Sequence, residues 1–351
     1  MEMQFMKGNE AIAEAAILCG CRFFFGYPIT PQNEIPEYLS KRLPEVGGTF
    51  IQAESEIAAI NMVYGAAGAG ARVMTSSSSP GISLKMEGLS YIAGADLPCV
   101  IVNIMRAGPG LGGLQPAQGD YFQATRGGGH GDFRCIVYAP TTVQEAADLT
   151  QLAFDKADEY RMPAIILGDA IIGQMMEPVV LKDKVPIQTD KSWATTGWKD
   201  KGRKRAVINS LYMDTQELES LILARQERYN KLAEKDTMYT EVNAADCHIL
   251  VVAYGSVARI VRAVIENRGK ELRAGLFCPL TLWPYPYNQL TKLAKGKKVV
   301  LCVEMSTGQM VEDVKLAVCG DAPVHFFGRT GGSVPTEEEI FAAISKIKED
   351  L

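Results

Sequence analysis

The feature that most constrains the fold of this chain is the alternation of two kinds of segment between Lys7 and Asp169. Ala-rich stretches with helical spacing of apolar residues alternate with short β-branched runs that have the composition of buried strands. Such alternation is typical of helices that flank a largely parallel sheet. The pattern predicts strands over 49–52, 71–75, 98–104 and 163–168, and helices over 9–21, 55–70, from 79 onward and over 141–160.

A second α/β pattern follows after a change in composition. Residues 181–244 are rich in Lys and Asp and include a charged amphipathic helix, predicted over 214–235. We therefore predict a parallel-sheet domain over 1–180, a charged linker with a helix over 181–244, and a smaller α/β domain over 245–351. The linker helix fits either a solvated spacer or a docking arm for a partner.

The overall charge excludes several classes of protein. The 351 residues include 36 Lys+Arg and 41 Asp+Glu, a formal net charge of −5, so there is no general basic field for nucleic acid or an anionic membrane. No apolar run approaches the ~20 residues that cross a bilayer, and the N-terminus lacks the layout of a signal peptide. We therefore expect a cytoplasmic protein.

The cysteines and histidines give no sign of a metal site. Most of the eight cysteines lie inside apolar stretches, which is typical of reduced core thiols. No Cys-x-x-Cys occurs, and the three histidines are far apart in sequence. We therefore expect neither a metal ligand set nor an iron–sulfur cluster on this chain.

Candidate ligand-binding residues follow the predicted strands, where open α/β sheets bind ligands. The turn Tyr27-Pro28-Ile29-Thr30-Pro31 is stiffened by two prolines and presents a hydroxyl. Glu54 fits a helix N-cap or a helix-dipole partner. Glu56 is followed by apolar residues, and a carboxylic acid in such surroundings can stay protonated near neutrality and donate a proton to a ring nitrogen.

Three more candidates occur further along the chain. Arg106 ends an apolar strand, where its guanidinium could clamp a carboxylate or phosphate, or form a salt bridge to a neighbouring loop. Ser78 belongs to a run of four serines that could bind an anion or simply begin a helix. His130 lies in a glycine-rich segment over 127–132 and could move a proton or contact substrate, with backbone packing as the alternative.

A glycine-rich loop over 108–113 matches the Gly-x-Gly-x-x-Gly pattern of nicotinamide nucleotide sites. That pattern requires a helix to begin at once, whereas Pro116 follows within the same turn, and no acidic residue ends a following strand. We therefore reject a nicotinamide-dependent dehydrogenase.

Taken together and in order, these segments resemble the alpha-type subunit of the 2-oxoacid:ferredoxin oxidoreductases. The resemblance implies an α/β fold: a parallel-sheet domain of the pyrimidine-binding, thiamine-diphosphate type, followed by a smaller transketolase C-terminal-like α/β domain. Segments 253–256, 279–284 and 304–310 carry the likeness in the second domain.

The same resemblance assigns roles residue by residue. Glu56 matches the glutamate that hydrogen-bonds N1′ of the thiamine aminopyrimidine and so promotes deprotonation of the thiazolium C2. Thr30 and Arg106 match positions on the carboxylate side of the substrate. The cofactor-binding residues implied are Glu56, Pro28, Ile29, Thr30 and Ser78, and the catalytic residues are Glu56, Thr30, Arg106 and His130.

One departure from a complete thiamine enzyme predicts partner subunits. The Gly-Asp-Gly motif with a downstream Asn, which holds Mg²⁺ and the diphosphate, is absent, so this chain supplies half of a cofactor site. A beta-type subunit should supply the other half, and Mg²⁺ and the [4Fe-4S] clusters should lie on partners. The family architecture adds a gamma-type subunit for coenzyme A transfer and a small ferredoxin-like delta subunit.

The implied reaction is the oxidative decarboxylation of a 2-oxoacid with coenzyme A to acyl-CoA and CO2, with reduction of ferredoxin. The glycine-rich His130 segment is most similar to the branch that acts on branched-chain oxoacids such as 3-methyl-2-oxobutanoate. The 2-oxoglutarate branch is the alternative, because Arg126 and Arg134 could bind a second carboxylate. A non-catalytic assembly protein is an alternative of another class.

Overall fold

The structure, a computed structural model, describes residues 3–184, 186–187, 189–197, 202 and 204–351. Residues 1–2, 185, 188, 198–201 and 203, most of them in the predicted linker, therefore lie outside the described part of the chain. The strands are β1 Met3–Lys7, β2 Phe23–Gly26, β3 Thr49–Gln52, β4 Val73–Ser77, β5 Cys99–Met105, β6 Ile136–Tyr138, β7 Pro163–Asp169, β8 Met176–Val180, β9 Tyr239–Val242, β10 Ile249–Val252, β11 Ala274–Pro279, β12 Thr281–Trp283, β13 Val299–Glu304 and β14 Val324–Gly328. The helices are α1 Gly8–Leu18, α2 Glu34–Glu45, α3 Glu56–Gly68, α4 Ser79–Gly94, α5 Tyr121–Thr125, α6 Val143–Tyr160, α7 Ala170–Gln174, α8 Thr215–Lys235, α9 Gly255–Leu272, α10 Tyr287–Ala294, α11 Met310–Val318 and α12 Glu337–Glu349.

The first sheet has the strand order β12-β6-β7-β5-β4-β2-β3, and every pairing in it is parallel except that of β12 with β6. The predicted strands and helices of this domain are confirmed. Alternate residues of β5 face the helix layers on opposite sides of the sheet. Ile101 packs with α3 and α4, whereas Val100 and Val102 pack with α1 and α6. Both faces of the sheet are therefore buried, as parallel sheets require.

The second sheet has the order β14-β13-β10-β11-β9, with only β9 antiparallel. Helices α9 and α12 cover one face, and α10 and α11 cover the other. The two sheets exchange strands: β12 pairs with β6 of the first sheet, and β9, which follows the linker helix, pairs with β11 of the second. The pairing of β12 with β6 joins the two α/β units through backbone hydrogen bonds.

The predicted linker helix is confirmed as α8, which Asp214 caps by accepting hydrogen bonds from the backbone N–H groups of Gln216 and Glu217. On its inner face Arg225, Tyr229 and Leu232 are buried, whereas most of its other residues are exposed, so the docking-arm alternative stays a prediction for the outer face. Arg225 is buried and pairs with Asp96 at 2.8 Å, and Tyr229 is buried against Trp283 with ring centroids 5.6 Å apart. The helix is bound to the first domain of its own chain, which sequence composition could not indicate.

Seven of the eight cysteines are buried and Cys319 is exposed, and all are free thiols. Burial raises the pKa of Cys19 and of Cys99 to about 12, so these thiols stay protonated and unreactive. The expectation of reduced core thiols is thus confirmed. Within the described part of the chain, no helix has the length and apolar character needed to cross a membrane.

Candidate functional site

Glu56 is the first residue of α3, and its side chain is buried with 6% of its surface exposed. Ser55 caps this helix, because its Oγ accepts a hydrogen bond from the Ala58 N–H at 3.2 Å. Glu54, two residues earlier, is exposed. The structure therefore separates the two carboxylates: Ser55 is the N-cap, Glu54 faces solvent, and Glu56 turns into the protein.

The turn between β4 and α4 meets the Glu56 carboxyl. Ser77 and Ser78 are fully buried, yet neither Oγ has a hydrogen-bond partner among the described residues. Gly81 lies in the first turn of α4, where a Cβ would come within 2.5 Å of Glu56 Oε1 and 2.1 Å of Ser77 Oγ. The buried Glu56 carboxyl and the unpartnered Ser77 hydroxyl thus meet at one edge of the sheet, with the Ser78 hydroxyl one residue further along, and buried polar groups without partners of this kind indicate a ligand.

The turn that carries Pro28, Ile29 and Thr30 begins beside the Glu56 loop. The ends of β2 and β3 are paired, and the Ala53 N–H donates to the Gly26 carbonyl oxygen at 2.9 Å. Pro28 and Thr30 are exposed and Ile29 is half-buried. Thr30 lines a cleft of about 620 Å³, which residues 114–116, 170–171 and 174–175 also line.

Arg106 joins this turn to the glycine-rich loop over 108–113. Its side chain donates to the carbonyl oxygens of Thr30 at 3.0 Å and Leu111 at 3.2 Å, and its Nε is buried without a partner. Among the described residues, no carboxylate forms an ion pair with it. Arg106 therefore holds two loops in place and keeps its charge available to an anionic ligand.

The glycine-rich loop does not lead into a helix. Instead the chain turns back, so that Pro116 forms an isolated antiparallel bridge with Arg106 and the next helix begins only at Tyr121. Gln118 is fully buried and donates from Nε2 to the Tyr254 carbonyl at 2.9 Å, while its Oε1 accepts from the Met305 N–H at 3.0 Å. The second domain thus holds this loop, and no helix begins within it, as the sequence predicts; the rejection of a nicotinamide site stays a prediction.

His130 lies away from this group of residues. Its carbonyl oxygen accepts from Ser90 Oγ at 2.6 Å, and its ring meets Tyr91 edge-on at 6.0 Å. Ser90 is eleven residues along α4 from Ser79, about 16 Å at 1.5 Å per residue. The loop glycines pack closely on α4, so within this chain His130 is not brought together with Glu56, and a catalytic role for it stays a prediction.

Sequence reasoning missed three buried polar residues near the site. Asp120 accepts from Ser79 Oγ at 2.6 Å and from Asn103 Nδ2 at 2.9 Å, and burial raises the pKa of its carboxyl. Asp169 caps α7 and accepts from Ser256 Oγ of the second domain at 2.6 Å. Lys85 is 1% exposed inside α4. Asp120 stands in the loop between β5 and α5, where a carboxylate could have been singled out, but a single lysine in a helix gives no such signal.

Two family models match consecutive parts of the chain. One, described as pyruvate flavodoxin/ferredoxin oxidoreductase, thiamine diphosphate-binding, matches residues 14–241. The other, pyruvate:ferredoxin oxidoreductase core domain II, matches residues 245–340. Together they cover both α/β units described above.

Curated relatives match along the whole chain. A ketoisovalerate oxidoreductase subunit VorB of Methanothermobacter thermautotrophicus is 46% identical over 100% of this chain and 99% of its own length. A 2-oxoglutarate synthase subunit KorA of Methanocaldococcus jannaschii is 37% identical over 98% of this chain and 100% of its own length.

Solved structures agree with the architecture. A 2-oxoglutarate:ferredoxin oxidoreductase of Magnetococcus marinus, solved with 2-oxoglutarate, coenzyme A and succinyl-CoA bound, is similar with a TM-score of 0.86 and 25% identity over 99% of this chain. This chain spans 65% of the length of that one. A split-gene transketolase, at 13% identity and a TM-score of 0.60, shares the fold alone.

Proposed function

Because this chain belongs to the alpha-type subunits of the 2-oxoacid:ferredoxin oxidoreductases, we propose that it is a catalytic subunit of a CoA-acylating complex. That complex oxidatively decarboxylates a 2-oxoacid with coenzyme A to acyl-CoA and CO2, and reduces ferredoxin. The observation that carries the proposal is the buried Glu56 carboxyl at the carboxyl edge of the first sheet, beside the unpartnered hydroxyls of Ser77 and Ser78.

These residues fit the pyrimidine half of thiamine diphosphate. A buried carboxyl suits a hydrogen bond to N1′ of the aminopyrimidine, and Ser78 and the turn that carries Pro28, Ile29 and Thr30 would line the same half-site. When bound, thiamine diphosphate supplies the nucleophilic carbon that adds to the 2-oxo carbon and the electron sink for loss of CO2. Glu56 would hold the pyrimidine and exchange a proton with N1′.

Arg106 and Thr30 would orient the substrate. The guanidinium already fixes the Thr30 turn through the Thr30 carbonyl oxygen and leaves Nε buried and unpartnered, so a substrate carboxylate could complete its hydrogen bonds. Holding the reacting groups in a near-attack geometry can supply ~7 to 11 kcal/mol of such a barrier. A rigid pair of loops, rather than a single flexible side chain, suits that requirement.

The other half of the site would come from partners. No group of residues able to hold a metal ion occurs in the described ranges, and the relatives are themselves named as subunits. We propose that a beta-type subunit binds the diphosphate with Mg²⁺, that [4Fe-4S] clusters lie on partner chains, and that gamma-type and ferredoxin-like delta subunits complete the complex. The purified chain alone should then bind thiamine diphosphate poorly.

The branched-chain oxoacids are the substrates we favour. Identity is 46% to the ketoisovalerate relative against 37% to the 2-oxoglutarate relative. The two arginines that could bind a second carboxylate lie elsewhere or are already paired. Arg126 forms an ion pair with buried Asp313 at 3.0 Å, and Arg134 precedes β6, on the opposite side of the sheet from Glu56. Neither of these two arginines is therefore available beside Arg106 to bind a second substrate carboxylate.

Substrate choice is tested with the complex purified through this chain. We expect anaerobic viologen reduction, with coenzyme A, to be fastest with 3-methyl-2-oxobutanoate and slower with 2-oxoglutarate or pyruvate. Faster reduction with 2-oxoglutarate would support the same type of reaction but assign the chain to the 2-oxoglutarate branch of the family. A complex with all its subunits that is silent with every oxoacid would instead favour a non-catalytic assembly protein.

Gly81→Ala tests the contact between α4 and Glu56. The added methyl group would displace the Glu56 carboxyl or Ser77 Oγ, and a displacement of 1 Å can cost roughly a hundredfold in rate, so we expect turnover to fall about tenfold to a hundredfold. The matched control is Gly65→Ala in α3, where nothing lies within 4 Å of the new methyl group. The control should keep full turnover, and equal turnover of both variants would contradict the contact.

A further inference from the structure

Lys85 lies in the interface between helices α3 and α4. It belongs to a buried stripe of α4 that also contains Gly81 and Gly88, four residues before it and three after it. A Cβ on Gly81 would meet the Glu56 carboxyl at 2.5 Å, and one on Gly88 would meet Ile60 at 2.5 Å. The two glycines therefore bring α3 and α4 into close contact. Lys85 lies between Gly81 and Gly88 on this buried face of α4, near Glu56.

The ammonium of Lys85 reaches into the sheet. Side chains in a helix lean toward its N-terminus, which directs this one toward the level of Gly81. Its Nζ donates to Thr75 Oγ1 at 3.0 Å, and Thr75 lies on the same face of β4 as Ser77, two residues further along. Lys85, Thr75, Ser77 and Glu56 thus form one buried polar group beneath the half-site.

Burial of the Lys85 ammonium without a carboxylate partner destabilises the folded protein, which suggests that the lysine has a functional role. The side chain is 1% exposed, and no carboxylate of the described residues lies within ion-pair distance of it. Taking an ammonium out of water is energetically unfavourable, and an apolar side chain of similar length would fill the space without that cost. Burial lowers the pKa of Lys85 to about 8, and the charge of Glu56 opposes that shift.

We propose that Lys85 is a positioning residue for Glu56, because its ammonium, anchored on Thr75, orients the Glu56 carboxyl. This inference rests on the proposed role of Glu56 in the cofactor half-site. The groups that face Lys85 from the packed elements are Glu56 on α3, Thr75 on β4, and Asn103 on β5, which itself binds Asp120. Among these groups, the negative charge of Glu56 raises the pKa of Lys85.

The first test uses the full chain without cofactor. Lysine ¹³Cε resonances are titrated by NMR, and the Lys85 signal is identified as the one that disappears in Lys85→Met or in Lys85→Arg. We expect it to titrate near pH 8, about two units below a solvent-exposed lysine, and to titrate at lower pH in Glu56→Gln, because that variant removes the opposing negative charge. An unchanged titration in Glu56→Gln would overturn the proposal.

The second test uses the assembled complex. We expect Lys85→Met to lower kcat about tenfold to a hundredfold with little change in the substrate KM, and to shift the pH profile of kcat, whereas its melting temperature stays at or above that of the wild type. Lys346→Met, on the exposed side of α12, is the matched control and should change none of these.

The outcomes separate the two proposals. Full kcat in a folded Lys85→Met complex with an unshifted pH profile would reject the role of Lys85. Full kcat in Glu56→Gln would reject the proposed function, even where the NMR titration shows that the two groups interact. If Lys85→Met does not fold, the Glu56→Gln titration still decides whether the carboxyl and the ammonium are coupled.

Discussion

We expect Glu56→Gln to lower kcat of the assembled complex by about two to four orders of magnitude, the range that a positioned proton donor or acceptor contributes. Glutamine keeps the shape of the side chain and can still hydrogen-bond, but it cannot exchange a proton with a ring nitrogen. Because Glu56 lies at the first turn of α3 and Ser55 remains to cap that helix, the melting temperature should change little.

Glu54→Gln is a closely matched control for that experiment. It makes the same chemical change two residues earlier in the same loop, on an exposed side chain, and it should keep full turnover. Viologen reduction measures both variants in complexes of identical subunit composition. Comparable turnover of the Glu56 and Glu54 variants would contradict the assignment, and retained turnover in Arg106→Met as well would point to an assembly protein.

The second large effect concerns stability. Arg72 is buried beneath the first sheet, where it donates from Nε to Asp158 at 2.8 Å, from Nη2 to Asp155 at 2.7 Å and from Nη1 to the Cys19 carbonyl oxygen at 2.7 Å. Removing one partner of a buried ion pair leaves the other charge buried without a partner and lowers the free energy of unfolding by roughly 3 to 5 kcal/mol. We expect Arg72→Met to cost about 3 kcal/mol, the lower end, because Lys184 and Lys191 still pair with these carboxylates.

Thermal unfolding measures this cost. For a domain of this size, a loss of about 3 kcal/mol lowers the melting temperature by roughly 6 to 12 °C. Adding Asp155→Asn and Asp158→Asn to Arg72→Met should recover part of the loss, since the stranded charges are then gone. Arg268→Met, which breaks an exposed pair with Glu271, should leave the melting temperature unchanged. Equal effects of the Arg72 and Arg268 variants would refute the argument from burial.

Much of the fold followed from local pattern. β3 and α3 have the bounds that the sequence predicts to within two residues, because alternating apolar segments of that length admit few other structures. Five strands of the first sheet region were not predicted: β2, β6, β12 and the antiparallel pair β1 and β8. Strands of three to five residues carry too few side chains to show a period, and β12 pairs with a strand far away in sequence.

The placement of the candidate site residues was likewise predicted only in part. Glu56, Ser78, Thr30 and Arg106 come together because they follow parallel strands, and the carboxyl ends of such strands meet at one edge. His130 follows no strand end of that edge, and only the path of the chain around α4 decides that it lies apart from Glu56. Its glycines were a sign of close packing, which is the alternative the structure supports.

The sequence by itself determined the two α/β units, the strand-end residues and the family, since each of these depends on spacing along the chain. The tertiary structure decided three further points: that the linker helix binds its own first domain through Arg225, that Gln118 joins the glycine-rich loop to the second domain, and that Lys85 is buried beside Glu56. Each depends on contacts between segments distant in sequence. The physical reason is that burial and charge pairing are properties of the packed surroundings, which no local pattern contains.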